Sequence, residues 1–132
     1  MSTKYKATEL DSTYFVTITT VGWIDVFTKL IQKQVLINAL KYCQKNKGLE
    51  IYAYCLMSNQ TCPERSRRVH ILCKAPENEN LSDILRDFKK YTSKKIIETI
   101  INFPESRREW MLAAFEKACS HLSLRFGKTD II

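Results

Sequence analysis

LEIYAYCLM (residues 49–57) and VHILCK (69–74), joined by SNQTCPERSRR (58–68), decide how this chain folds. Both outer stretches are rich in β-branched and aromatic residues, which suits strands. They lie so close in sequence that an antiparallel hairpin is the simplest arrangement. The connection is odd. Met57-Ser58-Asn59 reads as the end of one strand and Val69-His70-Ile71-Leu72 as the start of the next. Between them Thr61 to Arg68 is strongly basic and offers no aliphatic or aromatic residue to anchor it in a core. A loop of that length adds only modest closure entropy, so the hairpin tolerates it.

Outward from the hairpin, TYFVTITTV (13–21) predicts another strand. Tyr14, Val16 and Ile18 share one face of it, and Phe15, Thr17 and Thr19 the other. From Thr28 to Lys47 the period becomes helical. Leu30, Ile31, Val35, Leu36, Ala39, Leu40 and Cys43 form an apolar face, while Lys29, Lys33, Lys41 and Lys45 lie mostly elsewhere. Thr28 is the expected N-cap, and Gly48 stands where a left-handed C-cap is wanted. A second helix begins at the cap Asn80, with Leu81, Ile84, Leu85, Phe88, Thr92 and Ile96 inward, and Pro104 ends it. Ser106-Arg107-Arg108-Glu109 has capping-box form and opens a third helix. Its stripe is Trp110, Met111, Ala114, Phe115, Ala118 and Leu122, Gly127 ends it, and Lys128 to Ile132 read as unstructured. The order β-α-β-β-α plus a further helix predicts an α+β, ferredoxin-like antiparallel sheet with helices on one face. A fourth strand, drawn from part of 119–131, would complete that plan.

The chain has 132 residues, the length of a single domain over 1–132, enough for one core. With 21 Lys and Arg against 14 Asp and Glu, its charge of +7 favours polyanions, nucleic acid before membrane. Five cysteines with no C-x-x-C pair argue against structural zinc. They fit small buried hydrophobes in a reducing cytoplasm. No secretory signal follows Met1, and no apolar run nears the ~20 residues of a membrane span.

Four blocks together are distinctive: YFVTITTVGWIDVF (14–27), ALKYCQKNKGLEIYAYCLMSN (39–59), LSDILRDFKKYTSKKI (81–96) and ESRREWML (105–112). They resemble, in the right order over roughly residues 12–118, the single-tyrosine transposases of small insertion sequences, above all the REP-associated branch. In that family Met-Ser-Asn runs directly into a His-hydrophobic-His motif. Two histidines two apart on a strand project from one face. The resemblance implies that they hold a magnesium or manganese ion. It also implies that a tyrosine of a later helix attacks the DNA phosphate, leaving a phosphotyrosine link to single-stranded DNA.

Two departures fall on that chemistry. Gln60 stands where the family has its first histidine, and the insert 61–68 separates it from Val69-His70. Without the insert the chain reads Met-Ser-Asn-Gln-Val-His, so an in-frame insertion within a His codon explains both changes. The family's Tyr-Ile-His-Asn-Asn-Pro-like signature is also missing from this sequence, and Tyr91 matches a family position that is not the nucleophile. The expected metal ligands are therefore His70, with Gln60 in place of the imidazole, binding an ion weakly or not at all. No catalytic residue is assigned.

The expected DNA-binding residues are Arg86, Lys89, Lys90, Lys94 and Lys95 on the second helix, with the loop arginines Arg65, Arg67 and Arg68. Plainer readings stand beside these. His70 suits a half-exposed strand histidine, His121 a helix surface, and a zinc site of His70, His121 and Cys62 has no spacing logic. The second-helix cations suit a solvated face, and the loop arginines an incidental insert. Tyr14, Tyr52 and Tyr54 suit core packing more than base stacking, and Trp23 and Trp110 suit structural roles. The functional expectation is a transposase-like domain that binds single-stranded or hairpin DNA without cleaving it, in the cytoplasm and off the membrane, with monomer and homodimer both open. The alternatives are an RNA-binding module or a poorly folding fragment.

Overall fold

The computed structural model describes residues 11–20, 26–56, 68–103 and 106–122, with side chains as far as Ala118 in the last stretch. Its elements are β1 (Thr13–Thr19), α1 (Leu30–Lys47), β2 (Glu50–Leu56), β3 (Arg68–Lys74), α2 (Leu81–Asn102) and α3 (Arg108–Leu122). The sheet order is β1-β3-β2, antiparallel at both junctions. The crossover through α1 therefore skips one position, and the next strand, β3, fills it. This is the α+β, ferredoxin-like arrangement that the sequence predicts. No fourth strand appears among the described residues. Of the stretch 119–131, residues 119–122 continue α3 and the rest lies outside the description.

Strand alternation produces the layering. Val69, Ile71 and Cys73 of β3 are buried, and Ile18 of β1 joins them. Leu36, Ala39, Leu40 and Cys43 from α1 meet Leu81, Ile84, Phe88, Ile96 and Ile100 from α2 over this face, with Met111 and Phe115 of α3 in the same core. Each fully buried aliphatic or aromatic side chain contributes about 1.5–3 kcal/mol, so this shared core holds the helices to one side.

The caps are partly as expected. Asn80 Oδ1 accepts from the Ser82 N–H at 2.9 Å. Gly48 takes φ 66°, and the following Leu49 N–H donates to Cys43 O at 3.2 Å, closing α1 with a left-handed cap. Phe103, the residue before Pro104, is extended, as the proline ring demands.

Several expectations are corrected. Thr28 does not cap α1; Lys29 holds that position with no side-chain bond, and Thr28 Oγ1 accepts instead from Arg107 Nη2 at 2.7 Å. The capping box starts its helix one residue late, at Arg108. Leu30 is exposed and Gln32 buried in its stead, because the inward face of α1 runs through residues 32, 36, 39, 40 and 43 and residue 30 falls on the opposite side of the helix. Trp110 is exposed rather than structural, since α3 turns Met111 and Phe115 inward. Tyr52 and Tyr54 are exposed on the edge strand β2, not packed in the core. Cys43 and Cys73 are buried as expected, while Cys55 is exposed. Trp23, Gly127 and the segment 128–132 lie outside the described residues.

Candidate nucleic-acid interface

The face of the sheet turned away from the helices carries the histidine. β3 is central, so His70 has a neighbour on each side: Thr17 on β1 and Cys55 on β2. This row lies next to Phe15–Leu72–Ala53, and beyond that comes Thr13–Lys74–Glu50. At the other end Arg68 pairs with Thr19. No described helix covers these side chains, and Phe15 is 69 % exposed.

His70 is half-buried and held on the β1 side. Its Nδ1 lies 3.0 Å from Thr17 Oγ1. Its ring stacks on Phe15, with centroids 5.6 Å apart and planes 16° from parallel. Nε2 is the ring nitrogen left for a ligand, since nothing described bonds it.

A bulge shapes the far corner. The β2–β3 register shifts between Ile51 and Ala53, leaving Tyr52 unpaired. The Tyr52 hydroxyl donates to Glu50 Oε2 at 2.8 Å. That bond, with the nearby carboxylate charge, raises the phenol above its ordinary pKa. Asp11 pairs with Lys74 and raises the ammonium likewise. Tyr54 pairs with Ile71, and Tyr52 and Tyr54 both line a groove of about 320 Å³ against Leu40 and Lys41 of α1. Tyr14 packs half-buried on the core.

The expected site residues do not converge. Gln60, Arg65 and Arg67 lie outside the described residues, as do Cys62 and the side chain of His121. Arg68 shares His70's face, two residues before it on β3. Arg86, Lys89, Lys90, Lys94 and Lys95 belong to α2, in the layer on the other side of the sheet. Two of these five are already engaged. Arg86 binds Asp83 at 3.0 Å and Asp87 at 3.5 Å, and Lys95 binds Glu98 at 2.9 Å. Lys90 and Lys94 are the exposed remainder.

Among the described residues the magnesium or manganese ion implied by the resemblance finds no fitting donor set. Such ions favour carboxylate, carbonyl and water oxygens. Around His70 stand a hydroxyl already bonded to the ring, a thiol and a guanidinium. Glu50 and Asp11, the acids described at this face, sit at its far end, engaged by Tyr52 and by Lys74. Among the described residues no three of His, Cys, Asp or Glu come together.

Sequence reasoning missed Phe15, Thr17 and Cys55 as neighbours of His70. Alternation places Phe15 and Thr17 on one face, but only the strand order brings that face to the histidine. The model of a protein family described as "Transposase IS200 like" matches residues 11–118. No curated protein matches the chain, and no solved structure does.

Proposed function

Because the chain belongs to the IS200-like transposase family, we propose that it is a transposase-type domain that holds single-stranded DNA on its open sheet face and does not cleave it. The observation that carries this reading is Arg68. A partner imidazole for His70 on the same strand must stand two residues away to share its face. On β3 the residue two before His70 is Arg68, which brings a fixed positive charge. At ~7 Å its repulsion of a divalent cation amounts to roughly 1–5 kcal/mol, depending on solvent screening. A guanidinium is also no metal ligand, so the position beside His70 does not supply the second donor a cation would need. Gln60 in place of the family's histidine supports the same conclusion.

The sequence blocks shared with the REP-associated branch support hairpin or single-stranded DNA as the ligand. The α2 cations then lie outside the footprint, since the sheet separates them from His70. A second reading, a general single-strand RNA binder, draws on the exposed aromatics Phe15 and Tyr52 of the same face.

The test is incubation of the purified protein with hairpin-tailed single-stranded DNA and manganese. The expected result is a mobility shift under native conditions and no covalent adduct under denaturing ones. A protein–DNA adduct overturns the loss of cleavage. Absence of any shift overturns the binding, and equal binding of unstructured RNA moves the assignment to the second reading.

A further inference from the structure

We propose that the free edge of β2, with the groove between it and α1, docks an extended peptide of another protein, which adds to the sheet as a further strand and brings an acidic residue to Lys41. This inference goes beyond the DNA reading and does not depend on it.

Among the described residues β2 pairs with β3 alone, so its other edge has no strand beside it. That edge opens into the groove of about 320 Å³, a volume at the small end of ligand clefts. Four consecutive strand residues, Ile51, Tyr52, Ala53 and Tyr54, line it. Successive strand side chains point to opposite faces, so what these four share at the groove is their backbone. Ile51 and Tyr54 pair with the buried Cys73 and Ile71, which turns their side chains towards the helical layer. There they meet Ile37 and Leu40 of α1, while Tyr52 and Tyr54 remain exposed. An apolar groove running beside an open strand edge is the arrangement that takes a peptide by strand addition. Main-chain bonds hold such a peptide, and alternate side chains drop into the groove.

The chemistry of the edge selects the occupant. A strand edge presents N–H donors and C=O acceptors in alternation, and a peptide backbone answers both, whereas a phosphodiester strand brings chiefly acceptors. Lys41 carries the only charge among the described residues that line the groove, and it is exposed. Glu50, next along β2, is already engaged by the Tyr52 hydroxyl. The groove therefore favours an acidic partner. A second copy of this chain suits it less, because pairing β2 with its own mate about a two-fold axis sets one Lys41 against the other. The bulge at Tyr52 breaks the regularity of the edge, which suits a short segment rather than open-ended sheet growth.

The experiment selects decapeptides from a randomised display library on the full chain. The strongest binder is resynthesised with a fluorescent label and read by anisotropy. The expected sequences alternate apolar and acidic positions and lack proline. Methylating alternate backbone amides of the peptide should weaken it at least about tenfold in one register and little in the other, because one set alone faces β2. Lys41→Glu, with its fold verified by a circular dichroism melt, should weaken binding by roughly two- to tenfold. Hydrogen exchange should show the amides of Glu50–Leu56 protected in the complex and those of Thr13–Thr19 unchanged. The docking site is wrong if the library enriches nothing, if the peptide binds without protecting β2, or if neither methylated register weakens it. If the chain alone dimerises with β2 protected, the occupant is a second copy and the peptide assignment falls. Displacement of the peptide from β2 by oligothymidylate gives the edge to nucleic acid and overturns the assignment likewise.

Discussion

Thr17 Oγ1 lies 3.0 Å from His70 Nδ1, a bond between residues 53 apart in the chain. It ties the ring on the central strand to β1 and leaves Nε2 facing outward. The hydroxyl can donate to a bare Nδ1 or accept from a protonated one, so the bond fixes the orientation of the ring rather than its tautomer.

Thr17→Val removes that partner while keeping a β-branched strand residue. Nitrogen-15 NMR should show the His70 Nδ1 resonance shifting as its hydrogen-bond partner is lost. Stability should fall by no more than about 0.5–1.5 kcal/mol, the worth of one hydrogen bond. An unchanged ring spectrum would show that the bond does not form in solution.

Arg68→His rebuilds a His-Val-His sequence on β3, with both imidazoles on one face. The variant should bind cobalt or zinc at least tenfold more tightly than the unaltered chain, read by cobalt absorbance and by calorimetry. Equal affinities would mean that Arg68 does not occupy the place of a metal ligand.

Arg68→Ala should lower the magnitude of the single-strand salt slope by about 0.7, the contribution of one phosphate contact. Lys90→Ala with Lys94→Ala should leave it unchanged, because α2 lies beyond the sheet. A larger effect from the α2 pair would place the DNA on the helical layer.

The cysteines divide by environment. Cys55 is exposed and should be alkylated by iodoacetamide in the native protein, while Cys43 and Cys73 react only on unfolding, as peptide mapping by mass spectrometry resolves. Burial pushes the Cys73 thiol up to about 11 and raises Cys43 as well. Folding therefore favours the protonated thiols. Their contribution to stability is complete below the ordinary thiol value of 9.0 and is lost as pH rises towards about 11. Urea midpoints should decline across that interval, and less so in Cys73→Ala.

Gly48 adopts φ 66°, and a Cβ there would meet Pro76 Cγ at 3.4 Å. Gly48→Ala should cost about 1–2 kcal/mol, the left-handed penalty of a side chain, measured by urea denaturation. Gly48→Asn should cost less, since asparagine tolerates that region.

Much of the fold was legible because its signals are local. The alternation of TYFVTITTV, the helical spacing from Val35 to Cys43, and the Asn80 and Gly48 caps depend on residues a few positions apart. The failures come from contacts between distant parts of the chain. Thr28 has a capping side chain but gives its oxygen to Arg107, 79 residues away. The bulge at Tyr52 shifts the β2–β3 pairing that plain alternation assumes. The site was less legible. His70 and Arg68, two apart on one strand, could be placed on one face from sequence, but not that Phe15 lies against the ring.

Sequence alone determined the elements, their order, the basic character of the chain and its resemblance to a transposase family, because side-chain period and capping are written within single turns and strands. Tertiary structure alone decided that β3 lies in the middle. Backbone pairing between distant strands sets that position. From it follow the Thr17 bond and the stacking of Phe15 on His70, while the layering separates the α2 lysines from the histidine face.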